Sequence, residues 1–159
     1  MIDPAMTPPT LPSVRRKAAI MITDMVGYTR VTQRDEALAL ALLEAQRAIC
    51  RAQFAAHHGR EIKTLGDGFL VAFERALPAV QCAIDVQQAI HERNRGQPPE
   101  RRMLLRIGVH WDYVVFQEDD VFGNGVNIAA RLEPLSDGGG VCLSAAVYEQ
   151  VKRLEVHIV

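Results

Sequence analysis

No sign of charge dominates this chain: 18 of its 159 residues are Lys or Arg and 19 are Asp or Glu, for a formal net charge of -1. So even a balance excludes a broad field for nucleic acid or an acidic membrane, and any anionic ligand must be held by a local site. Cysteine is scarce. Cys50, Cys82 and Cys142 are odd in number, far apart and without CxxC spacing. That argues against a disulfide framework or thiolate metal site and for a reducing, cytoplasmic setting. No apolar run approaches the roughly 20 residues of a membrane span. Internal repeats and low-complexity tracts are missing as well. The opening "MIDPAMTPPTLPSVRRK" has prolines but no apolar signal core. It reads as a flexible lead-in over residues 1–16, with "MIDPA" before Met6 as a remnant of cloning.

What is present suits one domain over residues 17–159, since 48% hydrophobic and 23% charged residues are enough to build a core. "AAIMITD" (18–24) reads as a buried strand, and "MVGYT" after it as a glycine turn. From Asp35 to about His58, Leu38, Leu42, Ala45, Ile49 and Ala52 recur at helical spacing, with Gly59 as a stop. Two strands near 60–65 and 69–73 flank Gly66-Asp67-Gly68. Pro78 suits the first turn of a second helix, and "RNRGQPPE" is a polar loop. "MLLRIGVHW" and "YVVFQ" read as two more strands. "FGNGVNIAARLE" runs from a turn into a helix, "VCLSA" is strand-like, and Ser144 caps a helix over 145–153. Hairpins mixed with β-α units predict an α+β fold: a ferredoxin-like core with a mixed or antiparallel sheet and helices on one face.

Several polar residues interrupt this apolar pattern. Asp24 ends one apolar run and Asp67 sits in a hairpin turn. In a ferredoxin-like sheet those two places can adjoin, and two carboxylates there would repel unless a cation lay between them. Hard oxygen donors suit Mg2+ or Mn2+ shared with substrate phosphates; two solvated turn aspartates are the plainer alternative. The Gly27 turn would let the backbone N–H groups of Val26, Gly27, Tyr28 and Thr29 face an anion. Asn127 and Arg131 are four apart on a helix that otherwise reads as buried, so they need partners. A phosphate suits the guanidinium, and an Asn–Arg pair closed within the protein is the alternative. Lys63 could donate to a ring nitrogen and Asp120 accept from an exocyclic amine, which together would read an adenine edge.

These residues stand in segments that resemble the class III nucleotidyl cyclases: "MITDMVGYT", "KTLGDG" and "DVFGNGVNIAAR", in the family's order, within about residues 18–153. The resemblance implies conversion of ATP to 3',5'-cyclic AMP and pyrophosphate with two Mg2+ or Mn2+ ions per site. Asp24, Asp67 and the backbone carbonyl of Met25 would be metal ligands. Lys63 and Asp120 would select the purine, and Asn127 and Arg131 would orient the ribose and stabilise the transition state. It also implies a head-to-tail homodimer whose sites take the metal acids from one subunit and the other four residues from its partner.

Two departures qualify the match. Family members continue into further strands carrying a triphosphate-binding lysine, whereas this sequence stops at "RLEVHIV". The expectation is a C-terminally truncated catalytic domain of low or no activity, with Lys152 and Arg153 facing solvent and further modules downstream in a longer protein. A catalytically weak or inactive, cyclase-like nucleotide-binding or regulatory module is the competing expectation. "GVHWDYVV" carries Trp111 and Tyr113 where a small residue is common in the family, which suits a dimer surface, and His110 beside them reads as structural.

Overall fold

The computed structural model describes residues 12–152. Its elements are β1 (Ser13–Met25), α1 (Tyr28–Arg34), α2 (Glu36–Ala56), β2 (Arg60–Leu65), β3 (Gly68–Phe73), α3 (Ala76–Asn94), β4 (Leu105–Gln117), β5 (Asp120–Phe122), α4 (Asn124–Leu132), β6 (Val141–Leu143) and α5 (Ala145–Val151). Single 3-10 turns lie at Pro99–Arg101 and Glu133–Leu135. The sheet has six strands in the order β2-β3-β1-β4-β5, with β6 parallel to the first half of β4 and all other pairs antiparallel. This is an α+β fold with the ferredoxin-like order at its centre.

Alternation along β1 sorts the apolar residues onto two faces. Ala19 and Met21 join Phe69, Val71, Phe73, Leu105, Ile107 and Val109 beneath α2 and α3. Ala18, Ile20 and Ile22 face the other way, with Leu70, Ala72, Val114 and Phe116, and are covered by Ala129 of α4. Helices therefore lie on both faces rather than one. The sheet curls over this second core until its two edge strands meet, where Lys63 of β2 reaches Asp120 of β5 at 3.1 Å. Asp35 caps α2 by accepting the Leu38 N–H at 3.0 Å, and Ala39, Leu42, Gln46, Cys50 and Phe54 form its buried stripe; of the expected stripe only Leu42 is fully buried, Leu38, Ala45 and Ile49 flank it half-buried, and Ala52 is exposed.

Three expectations need correcting. "MLLRIGVHW" and "YVVFQ" are one strand, β4, because β1 pairs with it residue for residue from Ser13↔Gln117 to Met25↔Leu105, straight through Trp111 and Asp112. Residues 13–16 belong to β1 and not to a lead-in. Arg15 lies 4.2 Å above the Tyr113 ring and Arg16 4.5 Å above Phe116, so the basic side chains are held by β4 aromatics. The turn expected at "MVGYT" is shorter than that stretch, because Tyr28 and Thr29 already open α1, which runs on to Arg34. The rest of the lead-in and Arg153 lie outside the described residues. Ser144 does cap α5, accepting the Val147 N–H at 3.3 Å, and Lys152 after it is exposed and bonded to Glu149 at 2.7 Å.

Candidate active site

The site is built where β1 ends beside the β2–β3 turn. Thr23 Oγ1 accepts the Phe69 N–H at 3.0 Å, and a Cβ on Gly68 would overlap the Thr23 carbonyl oxygen. Glycine at 68 is therefore what lets the two strands come this close. Gln46, fully buried on α2, donates its Nε2 to the Asp67 carbonyl at 2.7 Å and fixes the turn from below. Asp24 and Asp67 consequently line one cleft of about 630 Å3, together with Met25, Val26, Gly27, Tyr28 and Thr29. The Asp67 carboxyl is held above its ordinary range, first by burial and then by the negative charge of Asp24; N–H donation from Met25 and from its own backbone works against this. Around the Gly27 turn, the Val26 N–H is already given to the Leu104 carbonyl at 2.8 Å. It leaves the expected anion-facing set, in which Gly27, Tyr28 and Thr29 remain. These three open α1, where N–H groups have no intrahelical acceptor.

Arg106, which lines the cleft, and Glu133 behind it were not expected from the sequence. Arg106 of β4 makes a two-pronged pair with Asp24, Nε to Oδ1 at 3.0 Å and Nη2 to Oδ2 at 2.9 Å. Glu133, at the start of the 3-10 turn after α4, places Oε2 3.8 Å from the same Nε. Its carboxyl is pushed up to about 8, first by burial and then by a hydrogen bond to Asp24 and the charge of Asp24, with Arg106 pulling the other way. The available signal was an arginine inside the apolar run "MLLRIGV", a position that calls for a carboxylate partner. No spacing rule could name Asp24 as that partner, since the two lie far apart in the chain.

The other four expected residues lie away from this cleft. Lys63 Nζ sits 3.1 and 3.2 Å from the two Asp120 oxygens, beside a separate hollow lined by Ile62, Glu118 and Asp119. The Asp120 carboxyl is held below its usual range, first by the Val121 N–H and then by Lys63. Asn127 and Arg131 do share a face of α4, but that face is exposed; Gly125 and Ala129 are the residues it buries. The expectation of a buried helix is corrected here, because α4 covers the sheet with one side only. His110 is buried as expected, with Nε2 3.2 Å from Asp112, while Trp111 is half-buried against the main core and Tyr113 is 46% exposed.

The donors fit a hard divalent cation. Two acids facing one cleft, one of them raised by the other's charge, are a set that lacks positive charge, and a guanidinium now supplies part of it. Among the described residues no three His, Cys, Asp or Glu side chains are arranged to hold a metal ion. The chain offers two carboxylates at the cleft, part of a shell of the kind Mg2+ completes with phosphates and water.

A ferredoxin-like sheet with paired acids at a strand end and a glycine turn beside them sets donors for a hard cation next to N–H groups able to face an anion. The chain belongs to the adenylate and guanylate cyclase catalytic domain family, whose model matches residues 13–159. The family generally uses divalent metals. The chain is 44% identical over 138 residues, 86% of its length and 24% of the relative's, to "Putative adenylate cyclase 3" of Rhizobium meliloti (strain 1021). It is 35% identical over 142 residues, 88% of its length and 35% of the relative's, to an adenylate cyclase of Streptomyces coelicolor (strain ATCC BAA-471 / A3(2) / M145). It thus spans about a quarter to a third of these curated relatives. Among solved structures it is similar to an adenylate/guanylate cyclase/hydrolase from Silicibacter pomeroyi. The TM-score is 0.83 at 36% identity, covering 89% of this chain and 83% of that one.

Proposed function

We propose that this domain cyclises ATP to 3',5'-cyclic AMP with release of pyrophosphate, at sites shared by two copies of the chain related head to tail. The carrying observation is the convergence of Asp24 and Asp67 on one cleft, while Lys63, Asp120, Asn127 and Arg131 sit on other surfaces of the same chain. A second copy would complete the site by bringing those four residues to the acids.

In this reading Asp24, Asp67 and the Met25 carbonyl hold two Mg2+ or Mn2+ ions. Bound there, the ions would ease deprotonation of the ribose 3'-OH and neutralise the leaving pyrophosphate. The N–H groups of Gly27, Tyr28 and Thr29 receive phosphate oxygens. Asn127 orients the ribose so that its 3'-oxygen attacks the α-phosphorus in line, and Arg131 meets the charge that grows on the phosphoryl oxygens. Lys63 and Asp120 part from each other and pair with the adenine ring nitrogen and exocyclic amine; guanine reverses that donor and acceptor pattern. ATP is therefore the favoured substrate.

The test is incubation with ATP or GTP and Mg2+ or Mn2+, followed by detection of the cyclic product. One observation favours a second reading, a nucleotide-binding module without turnover: both Asp24 oxygens are engaged by Arg106. Nucleotide binding with no cyclic product, at every metal and protein concentration, would establish that reading instead.

A further inference from the structure

Arg106 and a metal ion need the same two oxygens. The guanidinium occupies both prongs of Asp24, and side-chain exposures of 32% for Arg106 and 25% for Asp24 put the pair at the lip of the cleft, where a guanidinium has room to turn. Glu133 lies within a short swing. Its Oε2 is buried and, apart from the contact its carboxyl makes with Asp24, has no hydrogen-bond partner among the described residues, although Arg106 Nε is only 3.8 Å away. A buried acceptor left unmade is unfavourable, so that oxygen is a ready seat for a donor. The spacing is held by the backbone, since a Cβ on Gly108 would come 2.6 Å from the Glu133 nitrogen. With β4 and the 3-10 turn in such contact, only the Arg106 side chain is free to change partner.

We propose that Arg106 is a two-seat competitor of the divalent cation: it closes Asp24, and it transfers to Glu133 when a cation takes Asp24. The inference rests on the reading that Asp24 is a metal ligand. Arg106 and Glu133 act here as positioning residues through Asp24. Cation affinity is then set by the fraction of molecules in which Asp24 has been released. A bidentate charged pair of this kind lowers that fraction about tenfold.

Binding of Mn2+ alone, without nucleotide, is followed on the full chain by the electron paramagnetic resonance signal of the free ion. Arg106→Ala and Arg106→Lys should both tighten Mn2+ binding, the first by about tenfold, because neither can form the fork on Asp24. Glu133→Gln should weaken binding in the parent chain and have no effect beside Arg106→Ala. Unchanged affinity in both Arg106 variants, or an equal Glu133→Gln effect in both backgrounds, overturns the proposal. If Arg106→Ala does not fold, Arg106→Lys carries the comparison. A second measurement uses the unaltered protein: the Arg106 Nε–H resonance, assigned by its loss in Arg106→Lys, should move as Mg2+ is added. A resonance that stays still while Mg2+ binds overturns the transfer. Asp24→Asn separates the two failures. If it leaves Mn2+ binding intact, or if no variant binds Mn2+, the metal reading of Asp24 falls and takes the competitor with it. If it abolishes binding while the Arg106 variants match the parent, only the competitor falls.

Discussion

Arg131 carries no packing in the single chain, since its face of α4 is exposed. Arg131→Ala should therefore lower cyclisation by about 10²–10³, the loss seen on removing a comparable oxyanion donor. Thermal unfolding should stay at the parent temperature, and a variant that keeps full turnover refutes the role. Replacing Lys63 and Asp120 together by residues that match guanine should shift the ratio of cyclic products toward the guanine nucleotide, read from paired assays with ATP and GTP. Glu133 predicts a pH dependence. Its folded value is raised from 4.5 to about 8, so the stability it contributes is full below about pH 4.5 and is lost as pH rises toward about 8. The urea midpoint should fall between about pH 5 and pH 8.5 by more in the parent than in Glu133→Gln. At this scale the sequence displayed the polar interruptions, Asp24, Lys63, Asp67, Asp120, Asn127 and Arg131, because each breaks an apolar pattern or sits in a turn. It did not display Glu133, which follows a helix where a carboxylate is unremarkable until the fold sets it against Arg106.

The long elements were legible because their periods are strong: α2 has a stripe of five buried residues, and β3 is buried throughout. Two of the short ones were not. α1 has seven residues, no side-chain cap and no buried residue, and β5 has three residues, fewer than any alternation needs. β4 was divided because Trp111 and Asp112 imitate a break, which pairing with β1 overrides. β3 passes close by β1 at Gly68, and Gly68→Ala should destabilise the fold by about 3 kcal/mol through that overlap with Thr23. Chemical denaturation measures it. An unchanged midpoint would mean that the turn can retreat, in which case Asp67 should lose its position and cyclisation should fall.

At the scale of the whole molecule, the acids and the four remaining residues of the proposed site occupy different surfaces. Turnover per subunit should fall on dilution. Asp67→Asn and Arg131→Ala, each strongly impaired alone, should regain activity when mixed, because a mixed dimer keeps one site with neither change. No recovery on mixing would place all six residues in one chain's site. This division was not legible in spacing or hydropathy, which report neighbours within a chain and not the surfaces it offers to a second one. The sheet also has a mechanical property. β1 runs roughly 40 Å at about 3.3 Å per residue and is paired with β4 at every position from Ser13 to Met25. It is one continuous strut, with no bulge in its pairing between Ser13 and the acidic end. The position of Asp24 is therefore tied, through an unbroken register, to the far edge of the molecule.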